Sequence, residues 1–392
     1  REAQAILDNA QTIPHPDGPR RVSDYPKQVV KLLHDMSTLA KRIQKRRLHD
    51  GQIVLELPEV DLLLDEEGKV IGAEPEDQSF THTLIEMFMV EANEAVARLF
   101  DSIEVPFLRR IHPEPEVDSS ERLRQFVSVA GYKLPKVLER KAIQSLLNTV
   151  RGRPESFALN LAVLKSLSRA EYSPEKIGHY ALASEHYCHF TSPIRRYADL
   201  TVHRLLDSYL ALGAPKVKGG RKRGAIELEH VVSYDDLVEF GRHISFTERR
   251  AEDAERELRQ VKVLELLKDQ VGVEFVGVVT GITNFGIFIQ IRDYLIEGLI
   301  RYESLMDDWW DVNERGGYVV GERTGKRIAI GDVTKVYVVR VDLPRRELDL
   351  AISEHVGRKR KEEHPKHALG RKGAKGRGRP IRSEPRYGRK RR

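Results

Sequence analysis

The chain has 392 residues, of which 40% are apolar and 32% charged, and its formal net charge is +6. This length allows two or three domains, and no apolar run approaches the roughly 18 residues that a membrane span requires. The single cysteine, Cys188, excludes an internal disulfide and favours a reducing compartment. We therefore expect a cytoplasmic protein without a membrane segment or signal peptide, in which Cys188 is a small buried thiol.

The positive charge is concentrated at the carboxyl end of the chain. Residues 358–392 hold 16 Lys and Arg against 3 Asp and Glu, so the remaining residues carry a net charge of −7. A segment this rich in Lys, Arg, Gly and Pro cannot bury a core, and we predict a disordered tail over residues 357–392. Such a tail either raises the affinity for nucleic acid by counterion release or only improves solubility.

The first half of the chain alternates between helical and strand patterns. Apolar residues recur at helical spacing in several stretches, whereas Gln52–Leu57 alternates as in a strand. A turn at Asp65–Gly68 joins two further strand patterns and predicts a β-meander. The predicted elements are a short helix within residues 1–26, helices at Val29–Leu48, Ser79–Phe100, Glu121–Ala130, Lys141–Val150 and Phe157–Ser166, and strands at Gln52–Leu57, Val60–Leu64 and Val70–Glu74.

The most distinctive stretch runs from His179 to Leu206 and reads HYALASEHYCHFTSPIRRYADLTVHRLL. We predict that Ser192 caps a helix that has Pro193 in its first turn. Arg195 and Arg196 would then lie in that turn, where two guanidinium groups beside free backbone N–H groups form an anion site suited to a phosphate. The alternative for this pair is a solvated surface or a structural ion pair.

A long helix is predicted from about Tyr234 to Gln270. It follows a basic, glycine-rich loop at Ala214–Gly224, which either contacts nucleic acid or is a tolerated insertion. From Val273 the apolar period changes to alternation, and short strands with glycine punctuation over about 80 residues are typical of a five-stranded OB barrel. The predicted strands are Val273–Val279, Thr283–Ile291, Gly298–Ile300, Lys326–Ile330, Val333–Asp342 and Glu347–Ile352.

The string HYAL…YxHFTSPIRRYxDLxxHRLL resembles the signature of the RNB family of exoribonucleases, which includes RNase II and RNase R, and it is most similar to the RNase R branch. The segments FVGVVTGITNFGIFI and EGLIRYESL resemble the S1-type RNA-binding domain. The resemblance implies an α+β fold with three parts. These are the C-terminal part of a helix-rich RNB nuclease domain over residues 1–268, an S1-type five-stranded OB-fold barrel over residues 272–353, and the disordered basic tail.

The resemblance also implies an activity, namely processive hydrolysis of single-stranded RNA from a free 3′ end to nucleoside 5′-monophosphates by a monomer. The motif makes Arg195 the catalytic residue that stabilises charge on the phosphodiester. The basic tail would contact the ribosome or structured RNA. The substrate-binding residues that the resemblance implies are Arg196, Tyr197, Ser192, Thr191, His179, Tyr180, Tyr187, Glu86 in TLIEMFMVEAN and Glu255 in an AER step.

In the S1-type module, aromatic rings are the candidates for stacking on RNA bases. We predict a platform of Phe288 with either Phe275 or Phe285, and Arg301 stands where the family often has a histidine. The adjacent residues Trp309 and Trp310 either extend this platform or close one end of the barrel.

The resemblance further implies Mg²⁺ as cofactor, held by an aspartate cluster of the form DxxxxxDxDD, which is absent from this sequence. The pairs Asp235–Asp236 and Asp307–Asp308 lack that spacing, and Asp199 is predicted to be an ion-pair partner of the arginines. Because the chain also begins with Arg1 instead of methionine, we expect a fragment whose metal ligands lie upstream, and which binds RNA but cleaves it poorly or not at all. The alternative is a non-catalytic RNA-binding regulator built on a degenerate RNB domain.

Overall fold

The fold is taken from a computed structural model, which describes residues 1–153, 155–214, 228–305, 308–314 and 316–354. Two predicted features lie outside these ranges, namely the basic tail and all of the glycine-rich loop except Ala214. None of the helices within these ranges is long and apolar enough to cross a bilayer.

The helices predicted from apolar periodicity are present, with ends that differ by at most four residues from the prediction. The second helix ends where Gly51 adopts a left-handed conformation with φ of 99°, which terminates a helix without a Cβ penalty. In chain order the helices are α1 (Glu2–Leu7), α2 (Lys27–Asp50), α3 (Phe80–Ser102), α4 (Val117–Val129), α5 (Arg140–Val150), α6 (Ser156–Ser166), α7 (Tyr197–Ala211) and α8 (Tyr234–Lys268).

The strands form one hairpin, a long-range two-stranded sheet, a barrel and a small separate sheet. The hairpin is β1 with β2, the two-stranded sheet is β3 with β4, and both pairs are antiparallel. In chain order the strands are β1 (Val60–Leu64), β2 (Val70–Pro75), β3 (Arg109–Ile111), β4 (Glu171–Ser173), β5 (Glu274–Ile282), β6 (Gly286–Ile291), β7 (Ile296–Arg301), β8 (Trp310–Asn313), β9 (Tyr318–Gly321), β10 (Arg327–Ala329), β11 (Val333–Asp342) and β12 (Glu347–Glu354).

The strand predicted at Gln52–Leu57 is wrong. The segment forms no ladder, and its backbone is held instead by single hydrogen bonds, from the N–H of Ile53 to the carbonyl of Ala181 at 2.8 Å and from the N–H of Glu56 to Oδ1 of Asn160 at 2.8 Å. Ile53 is buried in the core between helices α4, α5 and α6. Its alternating apolar pattern therefore reflects contact with helices and not with a neighbouring strand.

The barrel predicted near the carboxyl end is confirmed. Strands β11, β12, β7, β6 and β5 close on each other in that order, and all pairs are antiparallel except β12 with β7. The strand predicted at Lys326–Ile330 lies outside the barrel, because it forms β10 of an antiparallel sheet with β8 and β9. We call β8–β10 the side sheet. It is inserted between barrel strands β7 and β11, and Val319 and Ile328 from it are buried against the barrel core.

Helix α8 connects the first half of the chain to the barrel. Near its start, Gly241 and Ser245 face β4, and the Ser245 hydroxyl accepts the N–H of Tyr172 at 2.9 Å. At its end, Leu264 and Leu267 are buried in the barrel core. All residues between these contacts, from Arg249 to Arg259, are exposed. One helix therefore belongs to two cores, with an exposed central part.

Further contacts join the barrel and the end of α8 to the first half of the chain. Leu62 of β1 packs against the barrel core, and Lys69 lies 3.9 Å from Asp269. After the side sheet, the chain passes close to α6, because a Cβ at Gly331 would lie 3.0 Å from the Cβ of Ala158. These contacts and α8 together hold the barrel against the first half of the chain.

Close packing at Gly241 gives a testable prediction. An alanine Cβ there would collide with the backbone carbonyl of Tyr172, whose carbon would lie only 3.0 Å away. Glycine to alanine in a helix normally stabilises by about 1 kcal/mol, but overpacking here should cost about 1–3 kcal/mol more than that gain. We expect Gly241→Ala to lower the urea midpoint, whereas Gly72→Ala, with its nearest neighbour atom at 3.7 Å, changes it little. Equal midpoints for the two variants would contradict the packing of α8 on β4.

Candidate nucleic-acid interface

The turn before α7 differs from the predicted helix start. Helix α7 begins at Tyr197, so Arg195 and Arg196 precede it, and the Ser192 side chain forms no capping hydrogen bond. The carbonyl of Ser192 instead accepts the N–H groups of Arg195 at 3.3 Å and Arg196 at 3.1 Å. The prediction failed because Arg196 takes the capping position in an extended conformation, and Asp199 in the first turn reaches back over it.

Asp199 fixes this turn from inside the protein. It is fully buried, and its Oδ1 accepts the N–H of Ser192 at 2.8 Å and a guanidinium N–H of Arg196 at 2.8 Å. The predicted ion pair is therefore present between Asp199 and Arg196. Arg195 is exposed, as is Ile194 at the top of the turn. The two arginines have different environments, because one is held internally and the other is presented to solvent.

Three buried polar atoms beside this turn have no hydrogen-bond partner within the described residues. They are Oγ1 of Thr191, Nε of Arg196 and Oδ2 of Asp199. Buried polar groups are nearly always paired with protein or ordered water, so internal water is the simplest partner for them. Thr191 thus lies under the turn and not on its exposed side.

A row of aromatic and imidazole rings lies behind the turn. Ring centroids are 4.9 Å apart for His112 and His179, 5.2 Å for His179 and Tyr187, 5.9 Å for Tyr187 and His189, and 5.6 Å for His189 and Tyr172. We call these five residues the ring row. The sequence singled out His179 and Tyr187 but missed His112, which lies in the HPEP loop far along the chain.

Most of the ring row is buried, which affects protonation. Burial, with a smaller contribution from neighbouring His112, lowers the pKa of His179 to about 3. Burial, with a smaller contribution from Arg196, lowers the pKa of His189 to about 2. Tyr180, the remaining ring predicted from the signature, is also buried and lies 6.2 Å from His112. These histidines are therefore neutral at pH 7, and the rings form a wall behind the turn.

The two predicted glutamates lie on exposed helix surfaces. Glu86 is in α3, and loss of hydration raises its pKa although Arg47 opposes the shift. Glu255 is in the exposed central part of α8. Within the described part of the chain, no hydrogen bond or ion pair joins either glutamate to the Arg195 turn.

The structure of the barrel distinguishes between Phe275 and Phe285 as the partner of Phe288 in the stacking platform. Phe275 is only 9% exposed and packs in the barrel core beside Tyr294, so its assignment as an RNA-binding ring is wrong. Phe285 is 54% exposed and meets half-buried Phe288 edge to face, with 5.9 Å between centroids. Arg301 is exposed and lies 3.8 Å from Asp349. The geometry favours Phe285 with Phe288 as the platform.

Comparison with known proteins identifies both parts of the chain. Residues 1–212 match the RNB domain model, and residues 268–353 match the S1 RNA binding domain model. The chain belongs to the RNB family. Ribonuclease R of Aquifex aeolicus is 36% identical over 329 residues, which cover 83% of this chain and 45% of that protein. Ribonuclease R of Escherichia coli K12 is 32% identical over 367 residues, which cover 91% of this chain and 45% of that protein.

Solved structures of an RNB protein show the same fold. Mycoplasma genitalium RNase R in complex with ribose-methylated single-stranded RNA has a TM-score of 0.74 at 28% identity, covering 83% of this chain and 50% of that chain. The same protein in complex with double-stranded RNA has a TM-score of 0.67 at 26% identity, covering 83% and 51%. The chain spans about half the length of the relatives it matches.

The described residues of this RNB chain do not fit a metal ion. Nowhere in the described ranges do three or more His, Cys, Asp or Glu side chains converge as ligands. Asp236 is engaged at the start of α8, where its N–H donates to Ser233 and its carboxylate accepts the Ser233 hydroxyl. Asp308 accepts hydrogen bonds from the turn between β9 and β10. Asp236 and Asp308 are therefore both engaged in local hydrogen bonds, and Asp307 lies outside the described residues.

Proposed function

We propose that this chain holds RNA in an RNase R-like 3′→5′ exoribonuclease, which releases nucleoside 5′-monophosphates in RNA decay and processing. The main support is the turn before α7, where buried Asp199 accepts hydrogen bonds from Ser192 and Arg196 while Arg195 is exposed. A guanidinium on a fixed backbone can bind a phosphodiester and stabilise negative charge that develops on it. Arg195 is accordingly the catalytic residue in this proposal, and Arg196 supports the turn.

The remaining candidate residues have supporting roles. Tyr197 is exposed directly after the two arginines, where its ring can contact the nucleotide held by Arg195. The ring row forms the wall behind that nucleotide, and Glu86 and Glu255 are proposed to face RNA from the exposed surfaces of α3 and α8. In the S1 part, Phe285 and Phe288 stack on bases. Support comes from the relatives named Ribonuclease R and from the M. genitalium RNase R structures with RNA.

The proposed setting is a monomer in the cytoplasm that acts on single-stranded RNA with a free 3′ end. The single, fully buried Cys188, whose pKa is raised by burial, is consistent with a reducing compartment. Contact of the basic tail with the ribosome or structured RNA remains a prediction. Mg²⁺ is the expected cofactor of the hydrolysis, but the described residues offer no site for it. We therefore derive no metal-dependent step from this chain.

The test is a gel assay with 5′-labelled single-stranded RNA, Mg²⁺ and this chain. We expect a mobility shift without laddering, because the described residues provide phosphate and base contacts but no metal site. Arg195→Ala should lessen the slope of log affinity against log salt by about 0.7, the value of one phosphate contact on a single strand. Arg204→Ala, an exposed arginine later in α7, is the matched control and should retain the slope.

Other results of the gel assay would refute RNA binding or the absence of a metal site. Absence of any shift would refute RNA binding. Laddering that Arg195→Ala abolishes would support the role of Arg195 and refute the absence of a metal site. A circular RNA tests the alternative of a non-catalytic regulator, because a regulator would bind circular and linear RNA equally, whereas the proposed enzyme part prefers the free 3′ end.

A further inference from the structure

The side sheet carries an aromatic ring that has no role in the proposal above. Trp309 lies directly before β8, and its side chain is 81% exposed. The adjacent Trp310 is half-buried, packs against the barrel core, and donates its indole N–H to the carbonyl of Leu305 at 3.3 Å. One tryptophan therefore anchors the side sheet, and the other faces solvent.

The backbone of Trp309 is fixed on both sides. Its N–H donates to Oδ1 of Asp308 at 2.9 Å, and its carbonyl accepts the N–H of Glu322 at 2.8 Å. Asp308 also accepts the N–H groups of Arg323 at 2.9 Å and Thr324 at 2.7 Å. Desolvation alone would raise the pKa of Asp308, but hydrogen bonds from Thr324 and Arg323 outweigh it and hold that pKa far below its usual range. The ring is thus presented from a rigid support, which lowers the entropy cost of binding.

Charged side chains of both signs lie in or directly after the turn that supports Trp309, with Glu322 and three cations exposed. The turn between β9 and β10 (Glu322–Lys326), which we call the side-sheet turn, exposes Arg323 and Lys326, and exposed Arg327 follows it. The guanidinium of Arg327 lies 4.3 Å from the ring centroid of Tyr318. An exposed ring beside cations is the combination by which proteins bind single-stranded nucleic acid, because the ring stacks on a base and the cations contact the backbone.

Trp309 and Phe285 are carried by segments that leave the barrel at the same end. Gly286 pairs with Arg301, so the loop that holds Phe285 and the segment that follows β7 are neighbours. The hydroxyl of Tyr302 donates to the carbonyl of Thr283 at 2.7 Å and joins the two segments directly. A strand bound at Phe285 can therefore continue toward the side sheet.

The surroundings of Trp309 favour RNA over a protein partner. Protein interfaces centre on buried apolar side chains that lie together. The exposed residues of the side-sheet turn are instead charged or small and polar. A single ring among charged groups fits a nucleobase with its phosphates better than it fits an apolar protein surface.

The geometry points to a second base-stacking site on the side sheet, formed by Trp309 and the side-sheet turn, for single-stranded RNA that extends from the Phe285 platform. This inference rests on the proposed function, since it needs the S1 part to hold RNA. The site lengthens the RNA footprint of the chain beyond the barrel. It assigns a role to a tryptophan that would otherwise be an unexplained exposed apolar surface.

Intrinsic fluorescence tests this site, because Trp309 and Trp310 are the only tryptophans in the sequence. In Trp310→Phe, where Trp309 is the sole emitter, single-stranded oligoadenylate should quench the emission as a base stacks on the ring. Trp309→Ala should weaken binding of a long oligonucleotide by about 5- to 150-fold, the value of one stacked base. Trp309→Phe, which retains a ring, should stay within about 3-fold of the unchanged chain. The matched control is Tyr234→Ala, an exposed ring at the start of α8, which should bind normally.

The outcomes separate this inference from the proposed function. If the unchanged chain binds no RNA, the proposed function fails and this site fails with it. If the unchanged chain and Trp309→Ala bind RNA equally and emission is not quenched, only the side-sheet site is overturned. If Trp309→Ala retains RNA affinity but alters sedimentation, the ring is a contact between copies of the chain, which also overturns the inference.

Discussion

Replacement of Asp199 by alanine is expected to lower the free energy of unfolding by about 3 kcal/mol, at the lower end of the range for breaking a buried ion pair. The substitution leaves the N–H of Ser192 without its acceptor and the guanidinium of Arg196 without its carboxylate. It should also weaken RNA binding, since Arg195 would no longer be held in one position. Urea unfolding and the salt dependence of RNA affinity measure the two effects separately.

A matched pair of variants isolates the role of Asp199. Asp207→Ala removes an exposed carboxylate from the same helix and should change stability by no more than about 0.5 kcal/mol. Asp199→Asn retains an oxygen that can accept the N–H of Ser192, and its effect should lie between the two. If Asp199→Ala were as stable as Asp207→Ala and kept the full salt slope, Asp199 would not be what fixes the turn.

Acidification is expected to destabilise the protein steeply between pH 6.5 and 4.5. His179 and His189 have pKa values of about 3 and 2 in the folded chain, against about 6.5 in an unfolded chain. Below pH 6.5 the unfolded state therefore binds more protons, so stability is complete above pH 6.5 and is lost as pH falls toward these folded values. Two histidines should give a slope of about 2.7 kcal/mol per pH unit, or about 5 kcal/mol by pH 4.5.

Urea unfolding at a series of pH values measures this slope. His189→Gln should lower the slope by about 1.4 kcal/mol per pH unit, because one of the buried imidazoles of the ring row is removed. His49→Gln, which changes an exposed histidine in the last turn of α2, should leave the slope as it was. Carboxylates begin to protonate only near the bottom of this range. A slope unaffected by His189→Gln would mean that the ring row does not control the acid response.

Elements with a regular apolar period could be predicted from the sequence. Elements whose conformation depends on residues far away in the chain could not. Helices α2 to α6 and the five barrel strands follow from periodicity, because each buries one continuous face. The segment at Gln52–Leu57 alternates like a strand, yet it lies on helices. Strands β8 and β9 were missed, because the side sheet lies outside the barrel pattern and is fixed by contacts such as those of Asp308.

The candidate site was predictable in composition but not in arrangement. The signature identified Arg195, Arg196 and Asp199 as neighbours, whereas only the structure shows that Arg196 is half-buried against Asp199 and that Arg195 is exposed. Phe275 and Phe285 could not be distinguished from sequence, because the strand pattern does not reveal that Phe275 points into the barrel or that Phe285 lies in the loop before β6. The contribution of His112 to the ring row depends on its backbone bridge to His179, a contact over 67 residues that the sequence does not reveal.

Helix α8 fixes the distance between the two cores that its ends belong to. Its eleven exposed residues, Arg249 to Arg259, rise by about 1.5 Å each, so they set an axial separation of about 16 Å. They also set the rotational orientation of the barrel, because one inserted residue would rotate it by about 100° about the helix axis relative to β4. Substitutions of residues in this span that make no contact outside the helix should therefore be tolerated, whereas insertions and deletions should not. The exceptions include Arg259, which donates to the carbonyl of Val60, and Glu257, which pairs with Arg346. The number of residues in this span therefore sets the position of the S1 barrel relative to β4, against which the start of α8 packs.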